Sequence, residues 1–245
     1  DISGVGYQPN GEFRHDDAVL QPQHDQEVMT LLRIGALCNN AGLNFTPEGY
    51  WTIRGDPTEG ALLVAEEKTG NTHQELLVRY PRLEEVPFTS ERKYMMTLHQ
   101  SLDQGVVGYL KGAPEVVVAH CTQLLQDDQE LPLTAAARTR ILDENKSMAG
   151  SALRVLAMAY KHLPEVPSDL NGLINDGWIF VGLVGIIDPP REEAISATTR
   201  CRAAGIMPVM ITGDHQLTAS HLVRVPGGGP GHGRGADSRR GPERA

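Results

Sequence analysis

Two neighbouring stretches of alternating apolar and polar residues constrain the fold more than any other feature of this chain. Residues 83–99 and 106–111 both have side chains that alternate with a period close to two. Between them, Asp103, Gln104 and Gly105 form a sequence that is typical of a tight turn. This pattern predicts two strands that pair antiparallel, and the body of the chain is therefore expected to be built around an antiparallel sheet.

Apolar residues at helical spacing lie on both sides of the predicted strand pair. Helices are predicted over residues 25–38, 58–68, 114–121 and 134–150, and further strands over residues 153–161 and 175–187. Asp56 before Pro57 suits an N-cap followed by proline in the first helical turn. The buried stripe of this helix is predicted to comprise Ala61, Leu62, Val64 and Ala65. The predicted fold class is α+β, an antiparallel sheet flanked by helices.

The sequence pattern changes near Asp188. A helix is predicted over residues 191–204 and a strand over residues 207–211, and this alternation is typical of a parallel sheet. From residue 224 onward Gly, Arg and Pro dominate, so this stretch contains too few apolar residues to fold. We therefore predict domains over residues 1–187 and 188–223 and a disordered tail over residues 224–245.

Composition and charge exclude several classes of function. A net charge of −9 argues against general nucleic-acid binding, which requires a basic face. The longest apolar run, residues 178–187, is far shorter than the roughly 20 residues that cross a bilayer, so no direct membrane insertion is expected. Cys38, Cys121 and Cys201 are widely spaced, and their spacing predicts neither a zinc site nor any other metal site.

An aromatic residue followed by two cations makes residues 87–93 a candidate nucleotide site. The sequence has no GxxxxGK[ST] motif, so a P-loop is excluded as the source of phosphate binding. Phe88 could stack on a base while Arg92 or Lys93 supplies a nearby positive charge. The alternative is an ordinary strand, with Phe88 in the core and both cations in solvent.

Lys111 and Gly112 end a predicted strand and are a second candidate. A glycine beside the lysine lets a ligand approach the backbone closely, and the lysine can meet an anion as a compact point charge. The alternative is a strand-end lysine ahead of Pro114, which begins the next helix.

Two carboxylates and an arginine complete the candidates in the body of the chain. Asp56 and Glu59 are three residues apart, which directs both toward one side of a helix's first turn. They could contact a ligand or form a capping box. Arg154 lies among apolar strand residues, so it is expected to be buried and to need an anionic partner, either a ligand or a structural salt bridge.

Two further candidates follow the predicted domain boundary. Asp188 and Arg191 flank two prolines that stiffen the chain, which suits a hinge, although a simple cap of the next helix is the alternative. Thr212, Gly213 and Asp214 follow an apolar strand at the edge where open α/β sheets bind ligands, and a plain turn is the alternative there.

Five of these segments, in consistent order and spacing, resemble the cytoplasmic ATP-handling part of P-type cation pumps. They are residues 55–61, 87–93, 111–115, 188–191 and 212–214. The resemblance implies that the matching Phe88 stacks on adenine, that Lys93 lies near the nucleotide, and that Lys111 and Gly112 line its pocket.

The same resemblance assigns roles to the other candidates near the nucleotide. It implies that Asp56 and Glu59 approach the base and that Arg154 reaches the phosphate end of ATP. The segment from Asp188 to Arg191 resembles the hinge that leads into the phosphorylation domain of these pumps.

The last candidate segment resembles a second signature of haloacid-dehalogenase-type phosphotransferases. The resemblance implies that Thr212 and nearby amides, including that of Gly213, hold the transferring phosphoryl group, and that Asp214 orders the loop. Residues 188–223 would then be part of a haloacid-dehalogenase-like α/β phosphorylation domain, and these three residues would be its catalytic contribution.

One motif is a false match. Residues 67–71 are similar to the Asp-Lys-Thr-Gly-Thr sequence that carries the phosphorylated aspartate, but they lack that aspartate. We interpret Gly70 as a helix C-cap. The resemblance places the phosphorylated aspartate before residue 1 and the magnesium loop after residue 222.

The function implied by the resemblance is ATP-driven cation transport through an aspartyl-phosphate intermediate, with calcium as the first ion expected. ATP and Mg²⁺ are the implied cofactors. The implied partners are the phosphorylation, actuator and transmembrane domains of the same pump at the cytoplasmic face of a membrane. The isolated chain is expected to bind ATP without turnover. Two alternatives remain, a non-catalytic nucleotide-binding remnant or sensor, and a haloacid-dehalogenase-type phosphatase.

Overall fold

A computed structural model describes residues 1–16, 18–101, 105–170, 172–175, 177–187 and 192–207. The chain divides into two compact units, and the first ends at Pro189. The predicted hinge residues Asp188 and Arg191, the predicted catalytic residues Thr212, Gly213 and Asp214, and the predicted tail lie outside the described residues, so their assignments stay predictions.

Short helices and strands alternate along the first unit. The strands are β1 (Phe13–His15), β2 (Ala18–Leu20), β3 (Gly42–Phe45), β4 (Trp51–Arg54), β5 (Arg82–Val86), β6 (Tyr94–Ser101), β7 (Gly105–Gly112), β8 (Cys121–Gln126), β9 (Gln129–Pro132), β10 (Arg154–Leu163) and β11 (Trp178–Ile186). The helices are α1 (Gln26–Leu37), α2 (Pro57–Glu67), α3 (His73–Arg79), α4 (Pro114–His120) and α5 (Ala135–Gly150), with 3-10 turns at Pro22–His24 and Gly172–Ile174.

Within the described ranges, seven strands form one sheet in the order β5-β6-β7-β10-β11-β8-β9. Every neighbouring pair is antiparallel except β11 and β8, which are parallel. The predicted antiparallel pairing is confirmed for β6 and β7, with Met95 opposite Lys111 and Leu98 opposite Gly108. The single strand predicted over residues 83–99 is wrong in extent, because the structure has two strands there, β5 and β6, separated by a loop over residues 87–93. The fold is thus a mixed helix and sheet structure with a mainly antiparallel sheet, as the sequence predicted.

Helices cover both faces of this sheet. Along β7, Val107 and Tyr109 belong to a core cluster on one face, to which α1 and α2 also contribute. Val106 and Leu110 point the other way, into a cluster that includes residues of α4. Strands covered on both faces are apolar on both faces, so the middle of the sheet is more continuously buried than the alternating pattern predicted.

The start and end of α2 follow from local sequence. Asp56 is the N-cap, as predicted, and Pro57 occupies the first turn. Of the predicted stripe, Leu62 and Val64 are buried, but Ala61 and Ala65 are only partly buried, and Leu63 is fully buried in their place. A leucine buries more apolar surface than an alanine, so the helix turns this residue inward.

The turn after α2 differs slightly from the prediction. Lys68 is the C-cap of the helix, and Gly70 follows two residues later with a φ of +90°. Glycine adopts this left-handed conformation without the steric cost that a side chain would add. Helix α3 then begins three residues later with a capping box formed by Thr72 and Glu75.

The second unit is described through one helix. This helix, α6 (Glu192–Ala203), corresponds to the helix predicted over residues 191–204, and Gly205 follows it with a φ of +76°. In the part of the chain that the structure describes, no helix is both long enough and apolar enough to span a bilayer.

Candidate functional site

Of the predicted site residues that the structure describes, Lys111 near the end of β7 is the most deeply buried charged one. Its Nζ donates a hydrogen bond to Oε1 of Glu59 at 2.8 Å, and only 6% of its side chain is exposed. Side chains alternate between the two faces of a strand, so Lys111 lies on the same face as Tyr109, toward α1 and α2. The sheet therefore directs this ammonium group at the first turn of α2.

Glu59 is held from two sides. Its Oε1 accepts from Lys111, and its Oε2 accepts a hydrogen bond from the backbone N–H of Asn40 at 3.0 Å. A capping box would instead require this carboxylate to turn back to the backbone of Asp56. The structure therefore separates two roles that the sequence left open, because Asp56 caps the helix while Glu59 pairs with a lysine from the sheet.

Asp56 accepts hydrogen bonds from the backbone N–H groups of Thr58 at 2.8 Å and Glu59 at 3.2 Å. Partial burial of its carboxyl raises the pKa, but the hydrogen bonds from Thr58 and Glu59 and the charge of Arg154 together outweigh burial, so the pKa is lowered. Asp56 is consequently ionised at neutral pH and adds negative charge at the start of α2.

Arg154 begins β10 and extends to the same helical turn. Its Nη1 donates a hydrogen bond to Oγ1 of Thr58 at 2.8 Å. The expectation that Arg154 is buried among apolar residues is wrong, because the residue at this end of the strand is exposed. The strand is buried only over residues 157–160, where helices cover it. An exposed guanidinium beside Thr58 is open to an anionic ligand without first leaving the core.

Phe88 and Lys93 lie in the loop between β5 and β6. Phe88 is 59% exposed, so the alternative in which it belongs to the core is not what the structure shows. Lys93 has a φ of +58°, and its Nζ lies 3.9 Å from Oε1 of Glu115 in an ion pair whose side chains are both more than half exposed. The loop thus presents an aromatic ring and a cation to solvent.

Backbone contacts fix this loop to the end of β7. The carbonyl oxygen of Lys93 accepts a hydrogen bond from the N–H of Ala113 at 2.9 Å. A Cβ added to Gly112 would lie 2.5 Å from that carbonyl oxygen and 2.8 Å from Cα of Tyr94. The close approach of β6 therefore requires glycine at this position, which is a different reason from the ligand approach that the sequence suggested.

The structure brings the predicted residues together in two groups that share the end of β7. Lys111 contacts Glu59 directly, and Arg154 shares the first turn of α2 with Asp56 through Thr58. The loop of Phe88 and Lys93 joins the same strand end through the backbone hydrogen bond between Lys93 and Ala113. The end of β7 is the element common to both.

Several residues of this site were missed by sequence reasoning. Asn39 and Asn40 were not among the predicted site residues, yet the backbone N–H of Asn40 donates to the Glu59 carboxylate and the Asn39 side chain donates to the Glu59 carbonyl oxygen at 2.9 Å. Nearby, Cys38 donates to the carbonyl oxygen of Met95 at 3.4 Å, and burial raises the pKa of its thiol. Only the placement of α1 against α2 and β6 reveals these contacts.

A separate cavity of about 270 Å³ lies elsewhere on the first unit. It is lined by Val5, Tyr7, Gln8, Phe45, Gly49, Tyr50 and Trp51. Its lining contains none of the residues that the sequence predicted to bind a ligand. It is therefore a feature distinct from the site at the end of β7.

Comparisons with a family model and with individual known proteins all point to the same protein family. Residues 27–193 match the family model described as "P-type ATPase, cytoplasmic domain N". The chain is 40% identical over 233 residues to the cation-transporting ATPase pma1 of Synechocystis sp., an alignment covering 93% of this chain and 25% of that protein.

Two further relatives carry related names. The chain is 33% identical over 223 residues to a calcium-transporting ATPase of Bacillus subtilis, covering 91% of this chain and 25% of the relative. It is 37% identical over 222 residues to the calcium-transporting ATPase type 2C member 1 of Bos taurus, covering 89% of this chain and 21% of the relative. The chain thus spans about a quarter or less of the length of these relatives.

Proposed function

The chain belongs to the P-type ATPase family and contains its cytoplasmic domain N, and from this premise we propose that residues 1–187 bind ATP at the end of β7. The observation that carries the proposal is the buried pair of Lys111 and Glu59. Removing two charges from water is costly, and such a pair contributes little net stability compared with apolar packing. A role in ligand binding explains why the pair is present.

Other exposed groups of the first unit match the parts of a nucleotide. The ring of Phe88 is available to stack on adenine, and stacking of a base on an aromatic ring contributes roughly 1–3 kcal/mol. Lys93 and Arg154 are the cations that can approach the phosphates from solvent. The carboxylates of Asp56 and Glu59 supply hydrogen-bond acceptors near the adenine. Lys111 and Gly112 line the bottom of the site.

The described residues do not fit a resident magnesium site. Among them, no group of three or more His, Cys, Asp or Glu side chains is placed to hold a metal ion. In the proposed site Mg²⁺ would instead arrive bound to the triphosphate.

The activity of the whole protein is also a proposal. We infer ATP-driven cation transport through an aspartyl-phosphate, with calcium the first ion to test because two relatives are named calcium-transporting ATPases. In this scheme Thr212, Gly213 and Asp214 hold the transferring phosphoryl group, and the segment from Asp188 to Arg191 is the hinge. Transport requires the phosphorylation, actuator and transmembrane domains of the same pump. In this proposal the described chain lies at the cytoplasmic face of the membrane.

Titration of the 245-residue chain with ATP by isothermal calorimetry tests nucleotide binding. Phe88→Ala and Arg154→Gln change exposed residues, so both variants should fold normally and bind ATP more weakly than the wild type. Lys146→Gln is the matched control, since Lys146 is exposed on α5 and forms an ion pair with Asp143. Equal affinity of all four proteins, or no binding by the wild type, would refute the proposed site. We expect no steady phosphate release above that of a Lys111→Ala variant.

A further inference from the structure

Arg82, the first residue of the edge strand β5, makes more polar contacts than an ordinary surface arginine. Its Nη2 donates to the carbonyl oxygens of Leu37, at 2.8 Å, and of Asn39. Its Nη1 donates to Oδ1 of Asn40 at 2.6 Å and to Oε2 of Glu85 at 3.0 Å. The guanidinium therefore ties β5 to the turn that ends α1.

The end of a helix is where a cation of this shape is most useful. The last carbonyl groups of α1 have no partner within the helix, and the helix dipole is negative there. Arg82 places a positive charge at this negative end of the helix. Its planar guanidinium group also donates to several carbonyl oxygens at once. The compact ammonium group of a lysine could not reproduce this pattern.

Asn40 connects this cap to the candidate site. Its side-chain Nδ2 donates to Oε1 of Glu85 at 2.7 Å, while its Oδ1 accepts from Arg82. Its backbone N–H donates to Oε2 of Glu59, whose other oxygen holds Lys111. A continuous series of hydrogen bonds thus runs from β5 through the turn after α1 to the lysine of β7.

We propose that Arg82 is a positioning residue for the buried pair of Glu59 and Lys111, acting through Asn40. The role in ligand binding rests on the proposed nucleotide site. Arg82 fixes the turn that follows α1, the turn fixes the carboxylate of Glu59, and the carboxylate fixes the ammonium group of Lys111. Arg82 itself contacts the turn and β5, so its effect on a ligand is indirect.

A double-mutant cycle distinguishes this role from simple stabilisation. Arg82→Gln is made in the wild type and in a Glu59→Gln background, and ATP affinity is measured by calorimetry at a temperature where all variants are folded. If Arg82 acts through Glu59, the substitution weakens binding about tenfold in the wild type, as expected for coupled neighbours, and has little effect in the second background. Equal effects in both backgrounds would overturn the proposal.

Two comparison variants remove the remaining ambiguities. Arg82→Lys keeps the positive charge but loses the fork, so it should weaken binding as Arg82→Gln does, whereas full retention of affinity would show that charge alone matters. Arg140→Gln changes an exposed arginine on α5 and should leave affinity unchanged. A loss of affinity equal to that of Arg82→Gln would contradict positioning.

Asn40→Ala provides the test if Arg82→Gln does not fold. This change keeps the backbone N–H that binds Glu59 and removes only the side-chain links to Arg82 and Glu85. The proposal predicts a smaller loss of ATP affinity in the same direction, again absent in the Glu59→Gln background. Unchanged affinity in a folded Asn40→Ala protein would count against it.

A readout without nucleotide separates failure of this inference from failure of the proposed function. Acetylation of Lys111 by acetic anhydride, followed by peptide mass spectrometry, reports how well the amine is buried and paired. Arg82→Gln should raise the acetylation rate of Lys111 several-fold, while Arg140→Gln should not. If the wild type does not bind ATP but the rate rises, positioning stands and the nucleotide site falls. An unchanged rate overturns the positioning role.

Discussion

Nζ of Lys111 lies 2.8 Å from Oε1 of Glu59, and this contact joins residues 52 positions apart in the sequence. The side chains are only 6% and 18% exposed, so each charge is largely withdrawn from water. Lys111, which the sequence predicted to contact a ligand, is thus already paired with the carboxylate of Glu59. Any ligand at this site meets the pair rather than an isolated cation.

Loss of one member of this pair should be costly. Lys111→Ala leaves the partly buried Glu59 carboxylate with one hydrogen bond, from Asn40, and we expect a loss on the order of 3 kcal/mol in the free energy of unfolding. Combining Lys111→Met with Glu59→Gln should cost less than the sum of the two single changes. Urea unfolding followed by circular dichroism measures these values, with the exposed Lys146→Ala as control. A Lys111→Ala protein as stable as the control would contradict the prediction.

Glu66 should make the first unit less stable as pH rises. Its side chain is almost fully buried, Oε2 has no hydrogen-bond partner among the described residues, and burial raises the pKa to about 7 from an ordinary value of 4.5. Between these values the folded state binds more protons than the unfolded state, so stability falls with pH and levels off above about 7. The total change is on the order of 3 kcal/mol.

The Glu66→Gln variant isolates this effect. An amide stays neutral, so the variant should lose this part of the pH dependence and be more stable than the wild type at pH 8. Glu144→Gln on the exposed face of α5 serves as control and should keep the wild-type profile. Thermal unfolding between pH 4.5 and 8 provides the comparison, and parallel profiles for wild type and Glu66→Gln would show that Glu66 is not the titrating group.

Asp56, the N-cap of α2, should contribute both to the stability of the protein at pH 7 and to the loss of stability at acidic pH. Asp56→Ala removes the acceptor of two backbone N–H groups and should cost about 1 kcal/mol at pH 7. Because the pKa of Asp56 is lowered on folding, its charge stabilises the protein above its ordinary pKa of 3.8, and this part is lost as pH falls below it.

Asp56→Asn separates the two contributions. Asparagine keeps an acceptor for the cap but carries no charge, so at pH 7 it should be less destabilising than Asp56→Ala. Its difference from the wild type should shrink on acidification. Melting temperatures at pH 3 and pH 6 measure this difference, and an equal difference at both pH values would rule out a contribution from the ionised carboxylate.

Gly112 should not tolerate a side chain. A methyl group there would lie 2.5 Å from the carbonyl oxygen of Lys93, so Gly112→Ala forces β6 and β7 apart and should destabilise the protein by about 1–3 kcal/mol. Gly150→Ala is the matched control, because a Cβ at that position meets nothing within 4 Å among the described residues. Differential scanning calorimetry compares the two variants, and equal melting temperatures would contradict the close approach.

Much of the fold was predictable because its signals are local. The spacing of apolar residues predicted α1, α2, α4 and α5, and period-two patterns predicted β7 and, as one continuous strand, the region of β5 and β6. The cap at Asp56 was predictable for the same reason, since its partners Thr58 and Glu59 are two and three residues away. Contacts of this range depend on backbone geometry that neighbouring residues largely fix.

Other elements were not predicted. Strand β8 follows α4 without a break and was not predicted, because its extended conformation is stabilised by pairing with β11, more than fifty residues later. Helix α3 was also missed, although its capping box of Thr72 and Glu75 would have indicated it. The two short hairpins at the start of the chain are similarly too brief to show periodicity.

The sequence by itself determined most of the local elements, the family, and the candidate residues of the proposed nucleotide site. It left open whether Glu59 caps its own helix or binds elsewhere, and it placed Arg154 in the core. Only the tertiary structure decided that Glu59 pairs with Lys111 and that Arg82 holds the turn beside it. The physical reason is that these contacts join residues more than forty positions apart, and their distances depend on how the sheet packs against α1 and α2, which no local pattern specifies.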